Sequence, residues 1–188
     1  MRNVFVSEFV LLLLSSLAVA QVPTSGNVFF GYSFYSTNLS SIDRVNTNGW
    51  EGSVEGKIFP FLGMVADFSS HYGSENFPLI IVCPAQVPVC GPSTFSANVA
   101  EHNYLFGPRV SVPVGKLRPF GEAFFGAGHV NANAGGTDTS FATALGGGLD
   151  YRLIRILAWR IQGDYVQTRF FSTHQNNVRI STGIVVRF

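Results

Sequence analysis

The chain has 188 residues, the length of a single domain, and a formal net charge of only +1. A balance so close to neutral argues against general nucleic-acid binding, which requires a basic surface. Charged residues make up 12% of the chain, about half the ~25% typical of soluble domains, whereas Phe occurs 18 times and Gly 20 times. Such a chain is too apolar to be disordered and too poor in charge for an ordinary water-facing surface.

Residues 1–20 have the features of a cleaved signal peptide. Arg2 supplies a positive charge near the start, an apolar run covers residues 9–17, and Ala18 and Ala20 fit the small-x-small pattern before a cleavage site. The apolar run is shorter than the ~20 residues of a membrane-spanning helix, so we expect export and cleavage rather than a membrane anchor. The mature domain is therefore predicted to cover residues 21–188.

The two cysteines, Cys83 and Cys90, lie in a proline-rich segment. Exported proteins meet oxidising conditions, so we predict a local disulfide between them at the tip of a long loop. The alternative is a pair of reduced, buried thiols. Two thiols without an adjacent histidine make a poor zinc site, because zinc takes four ligands, and we expect neither a metal nor another cofactor.

Along the mature chain the sequence alternates with period 2 and shows no helical period. In the last segment, for example, Val178, Ile180 and Ile184 fall on one face, and Asn177 and Arg179 fall on the other. The alternation predicts eight strands, over residues 28–36, 50–59, 62–72, 102–112, 119–130, 141–151, 157–168 and 177–188.

The connections between these strands alternate in length, with long polar ones at residues 37–48, 73–98, 131–140 and 169–176. This order places the long loops at one end of an antiparallel up-and-down array and both termini at the other, periplasmic end. An even number of ~10-residue strands with this loop asymmetry is typical of outer-membrane barrels. We therefore predict an all-β fold, an eight-stranded antiparallel up-and-down transmembrane β-barrel.

Alternation alone does not show which face points outward, because a soluble lipocalin-like barrel has its apolar face inside. The polar face here is sparse, mostly Gly, Ser and Thr, and its charges nearly balance, as expected for a lumen in which they pair. Aromatic residues near the strand ends suit girdles at the two membrane interfaces. These aromatic residues are Phe30, Tyr32, Trp50, Phe59, Phe61, Tyr151, Trp159 and Phe188.

The charges of the polar face are the most specific candidate site. One interpretation is a gate or narrow ion path in which Arg109, Arg160 or Arg179 switches partners. The other, which we favour, is a static set of ion pairs, because eight strands leave an interior just wide enough for side chains. The predicted lumenal charge network comprises Glu51, Glu55, Lys57, Asp67, Arg109, Glu122, Asp150, Arg160, Asp164, Arg179 and Arg187.

The chain resembles the OmpA/OmpX-like family of outer-membrane β-barrel domains in six segments. They read NVFFGYSFYS, GMVADFSSHYG, YLFGPRVSV, PFGEAFFGAGH, ALGGGLDYRL and NNVRISTGIVVRF. The terminal Phe188 is similar to the signal by which the outer-membrane insertion machinery recognises its substrates. The resemblance implies a bacterial outer-membrane location, with membrane lipids and that machinery as partners. It implies no single activity, because this fold hosts adhesins, structural proteins and enzymes.

Four histidines, His71, His102, His129 and His174, are the candidates for catalysis. Small barrels that deacylate lipid A show a His-x-Ser-Asn type of pattern, but neither His129 nor His174 is followed by that serine. We therefore expect histidines near the rim that bond loop backbone or water.

We predict a non-enzymatic barrel with a structural or adhesive role, whose long loops contact an extracellular ligand that the sequence does not identify. The alternatives are a narrow ion channel gated by lumenal Arg/Glu pairs and a lipid-modifying enzyme.

Overall fold

The computed structural model describes residues 25–38, 44–79, 93–133 and 136–188. The predicted signal peptide and both cysteines lie outside the described residues. Among the described residues, no helix is long and apolar enough to cross a membrane. The described part of the chain forms eight strands: β1 (Gly26–Thr37), β2 (Val45–Lys57), β3 (Leu62–Leu79), β4 (Ser93–Ser111), β5 (Leu117–Ala132), β6 (Gly136–Arg152), β7 (Leu157–Thr168) and β8 (Gln175–Arg187).

Each strand pairs antiparallel with the next, and β8 pairs with β1, so the sheet closes into a barrel. At this seam Asn27 lies opposite Arg187 and Ser36 lies opposite Val178. We call the end that carries the β2–β3, β4–β5 and β6–β7 connections the short-turn end, and the other the long-loop end. The all-β, eight-stranded up-and-down fold predicted from the alternation is confirmed.

All four predicted long loops are partly strand, and in two of them the strands continue as paired ribbons. β3 and β4 continue as a paired ribbon until Leu79 lies opposite Ser93, so residues 73–79 and 93–98 of the predicted loop 73–98 are strand. β5 and β6 likewise pair until Ala132 lies opposite Gly136. The sequence did not predict these extensions because a two-stranded ribbon outside the barrel has no face that must be apolar, and the alternation disappears.

Burial along the strands shows which face points outward. On the outer face Phe30 is 64% exposed, Phe106 47% and Leu145 68%, whereas polar residues at alternate positions are buried. The eight aromatic residues predicted for the girdles are all 39% or more exposed. This is the inverse of a water-soluble barrel and the arrangement expected of one that faces lipid.

The connection between β7 and β8 folds back over the long-loop end of the barrel. Phe170 is fully buried against Val99 and Val130. The Gln175 side chain holds it there, because its Oε1 accepts from the Phe170 amide at 2.8 Å and its Nε2 donates to the Phe170 carbonyl at 3.1 Å. The next residue, Phe171, adopts a left-handed φ of 49°, which a bulky residue rarely holds. The connection therefore covers the interior beside β4 and β5.

A substitution at Gly183 on β8 tests how tightly β8 packs against β1 at the seam. It lies opposite Gly31, and a Cβ at this position would overlap the Phe30 carbonyl oxygen and the Gly31 Cα. We expect Gly183→Val to destabilise the barrel by about 1–3 kcal/mol, because the added atoms overpack the seam. The measurement is the urea dependence of the folded band in heat-modifiable gel migration. The matched control is Gly163→Val, whose Cβ would approach no other heavy atom closer than 3.9 Å; equal losses in both variants would contradict this account.

Candidate functional site

The predicted lumenal network lies in the barrel interior. Nine of its eleven members are at most 4% exposed. Lys57 and Arg187, whose side chains are 8% and 19% exposed, are nearest the short-turn end. Charges at every second position of a strand point to the same face, which explains why residues from seven strands meet here. The nine buried members are Glu51, Glu55, Asp67, Arg109, Glu122, Asp150, Arg160, Asp164 and Arg179.

Arg179 is the central residue of the ion pairs in the middle of the barrel interior. Its Nη1 donates to Asp67 Oδ1 at 2.7 Å, and its Nε donates to Asp164 Oδ2 at 2.9 Å. Glu51 Oε2 lies 3.4 Å from the Arg179 Nε. Glu51 also accepts hydrogen bonds from Gln162 Nε2 and from the hydroxyl of Ser181, both at 2.5 Å. One guanidinium thus joins carboxylates from three other strands, which a lysine could not do with the same directed donors.

A second set of ion pairs surrounds Arg109 below this cluster. The Arg109 Nε donates to Glu122 Oε2 at 2.5 Å, and its Nη1 lies 3.4 Å from Glu55 Oε2. Glu55 also pairs with Lys57, and it accepts from Asn27 Nδ2 at 2.6 Å. Glu55 therefore has three charged or polar partners, as a buried charge requires, whereas within the described ranges Glu122 is held by Arg109 alone.

A third set surrounds Arg160 nearer the short-turn end. Asp150 accepts from Arg160 Nε at 2.7 Å and from Arg187 Nη2 at 3.2 Å. The Arg160 guanidinium lies 4.7 Å from the ring centroid of Phe120 and 5.1 Å from that of Phe29. These stacked rings fill space around a charge without adding another polar group to satisfy.

Sequence reasoning missed a polar cluster at the long-loop side of the interior. Glu101 is 1% exposed, and its Oε1 accepts from the Tyr35 hydroxyl at 2.8 Å. The Tyr35 hydroxyl also accepts from Asn177 Nδ2 at 2.8 Å. Extending the β4 alternation by one residue would have found Glu101, because it shares the face of Asn103. Arg118, whose Nε is buried, is a further base of the inward face that the sequence reasoning left out, so the interior holds seven acids and six bases and its charges nearly balance.

His71 does not lie at the rim, as the sequence reasoning expected. It is fully buried inside the barrel, where its Nε2 lies 2.8 Å from Ser33 Oγ and its ring stacks on Tyr35. The alternation places it there because it follows Asp67 and Ser69 on the inward face of β3.

His102 and His129 lie side by side on the outer face. They are paired across β4 and β5, and their ring centroids are 6.4 Å apart. Each ring has a hydroxyl partner at its Nδ1: Ser70 Oγ at 2.8 Å from His102, and Thr139 Oγ1 at 2.7 Å from His129. The backbone register continues from Ser70 to Trp50, so the histidines belong to one row of amphipathic side chains around the barrel. Such rows suit a boundary between lipid and water.

No protein-family model and no curated protein sequence matches this chain. Solved structures match its fold. Neisserial surface protein A superposes with a TM-score of 0.62 and 13% identity, over 87% of this chain and 97% of that one. Ail, the attachment invasion locus protein of Yersinia pestis, in complex with the heparin analogue sucrose octasulfate, superposes with a TM-score of 0.58. Its sequence identity is 13%, over 87% of this chain and 98% of that one. The N-terminal β-barrel domain of Pseudomonas aeruginosa OprF superposes with a TM-score of 0.51 and 10% identity, over 87% of this chain and 99% of that one.

At these identities the likeness concerns the fold. That fold is the small outer-membrane β-barrel, and the resemblance inferred from the sequence is confirmed at this level. The shared architecture leaves the activity open, since it hosts several functions.

Replacing Arg179 tests whether the interior network stabilises the barrel. Removing its charge leaves Asp67, Asp164 and Glu51 buried close together without their shared cation. We expect Arg179→Met to lower the free energy of unfolding by about 3–5 kcal/mol, measured by urea titration in vesicles. The control is Arg169→Met in the β7–β8 connection, which removes the same charge outside the interior. A loss below about 1 kcal/mol, the size of an exposed pair, would contradict a structural role for this network.

Proposed function

We propose that the protein is a non-enzymatic barrel of the bacterial outer membrane, whose rigid body displays its long loops for surface interaction. The observation that supports this most directly is the inverted burial, with large apolar side chains outside and ion pairs inside. An apolar belt of this extent is compatible with lipid and not with water. Export by the signal peptide of residues 1–20 and recognition of Phe188 by the insertion machinery are parts of the same proposal.

The orientation in the membrane follows from the position of the termini. The amide of Phe188 donates to the Gly26 carbonyl at 3.1 Å, so the barrel begins and ends at the short-turn end. In our proposal this end faces the periplasm, and the β3–β4 ribbon extends from the opposite end towards the exterior. Loops on a rigid scaffold are where recognition residues concentrate.

The uncharged sequence between the two strands of the β3–β4 ribbon supports a partner whose contact surface is apolar. Residues 80–92 contain no charged residue, and we propose that Cys83 and Cys90 form a disulfide there. Ail was solved with a sulfated heparin analogue. A polyanion suits this chain less well, because its four long connections carry three acids against two arginines. These charged residues are Asp43, Glu75, Asp138, Arg44 and Arg169.

The packing of the interior argues against the narrow channel. Arg109, Arg160 and Arg179 are at most 1% exposed, so their side chains leave no water-sized space beside them. An ion path would require these guanidinium groups to move away from their carboxylates. Breaking such buried pairs is strongly unfavourable.

The geometry also supports a non-enzymatic role. Ser70 and His102 form a hydroxyl–imidazole pair from two strands, which no local motif shows. Tyr72 and His129 are the aromatic neighbours of His102, and among the described residues no carboxylate bonds to its ring. A serine nucleophile is activated by an adjacent base, and that base is in turn oriented by a third group.

Replacing the ribbon tip tests the interaction role. We expect bacteria that display the barrel to attach to mammalian cell monolayers, and attachment to fall to the level of barrel-free bacteria when residues 80–92 become a Gly/Ser linker. The reason is that the apolar tip supplies the contact surface. The control replaces residues 39–43 in the β1–β2 connection by the same type of linker. Unchanged attachment in the first variant, with normal heat-modifiable migration, would leave only a structural role.

A further inference from the structure

The short-turn end of the barrel is basic. Its three connections, residues 58–61, 112–116 and 153–156, contain no acidic residue and include Lys116 and Arg155. Arg152 and Arg187 lie at the adjoining strand ends. The neighbouring acid, Asp150, is buried and already paired with Arg160 and Arg187.

Four of these basic residues line one open cleft of about 320 Å³ between the β4–β5 and β6–β7 turns. Backbone bonds hold its walls together: the Arg152 amide donates to the Lys116 carbonyl at 2.8 Å, and the Arg187 amide donates to the Ile156 carbonyl at 2.8 Å. The cleft is lined by Lys116, Arg152, Leu153, Ile154, Arg155 and Arg187.

The positive groups of the cleft are only partly satisfied within the described part of the chain. The structure gives the side chains of Lys116, Arg152 and Arg155 neither an ion pair nor a hydrogen bond there, in contrast to Arg187 and the interior arginines. Arg187 uses one Nη on Asp150, but its Nε is buried without a partner. The charges of Lys116, Arg152 and Arg155 are therefore available to an anionic ligand.

The large side chains of these turns other than Lys116 and Arg155 are apolar. Leu153, Ile154 and Ile156 in the β6–β7 turn are 53–54% exposed, and Phe59 and Phe61 stack on each other in the β2–β3 turn. Turn tips of this kind suit the boundary between acyl chains and headgroups rather than bulk water. Basic side chains at that depth extend to the level of the lipid phosphates.

We propose that this cleft binds the phosphate of an anionic phospholipid, with Lys116, Arg152 and Arg155 around the headgroup and Leu153 and Ile154 against its acyl chain. The site lies in the leaflet at the short-turn end, which is the periplasmic leaflet if the proposed function holds. The apolar wall distinguishes a lipid from free phosphate, and the excess of positive charge favours an anionic lipid over a zwitterionic one.

Native mass spectrometry of the refolded full barrel, released from nanodiscs with equal amounts of phosphatidylglycerol and phosphatidylcholine, tests this site. We expect phosphatidylglycerol to be retained in preference, and the double variant Lys116→Gln/Arg155→Gln to lose about tenfold in that preference. The control variant, Arg44→Gln/Arg169→Gln, removes the same charge at the long-loop end and keeps the preference. Added inorganic phosphate leaves the bound lipid in place.

Equal retention of the two lipids by the unaltered barrel would overturn the proposal, as would displacement by inorganic phosphate or an equal loss in both double variants. Heat-modifiable migration and insertion into nanodiscs are measured first on the same samples. A chain that folds and inserts but shows no lipid preference refutes only the lipid site. A chain that stays soluble without lipid refutes the proposed function itself.

Discussion

The pairing of β8 with β1 is the constraint on which the rest of the structure depends. Once this seam forms, the strands have no open edge within the barrel itself, and the sheet can lie in a medium that offers no hydrogen bonds. Closure at eight strands also fixes an interior about as wide as its side chains. The inward residues must therefore fit and pair with one another, while the outward residues have only to be apolar.

The interior meets this demand with ion pairs and aromatic rings in layers. Arg179 joins three carboxylates in the middle, Arg109 and Arg160 bracket Phe120 nearer the short-turn end, and Phe170 covers the long-loop side. A buried ion pair adds little stability over an apolar pair of the same volume, but it is strongly directional. In this barrel we interpret the network as a device that fixes strand register and gives the loops a rigid base.

The sequence was informative wherever one face of a strand had to be apolar. In β8, Val178, Ile180 and Ile184 show the outward face so regularly that Arg179 between them could be assigned to the interior. Where neither face had to be apolar, the sequence did not predict the strand, as in the ribbon in which β3 continues to Leu79. The Ser70–His102 pair joins residues 32 positions apart, so only the strand register brings it together. Side-chain partners such as those of Glu101 depend in the same way on stagger between strands, which alternation does not encode.

Tryptophan fluorescence tests the central claim, that the apolar face of the barrel lies in lipid. The chain has only two tryptophans, and both Trp50 and Trp159 are on the outer face, 41% and 44% exposed. In vesicles whose acyl chains carry bromine, we predict strong quenching of the emission and little further quenching by iodide added to the water. Strong quenching by iodide with no effect of the brominated chains would contradict the account.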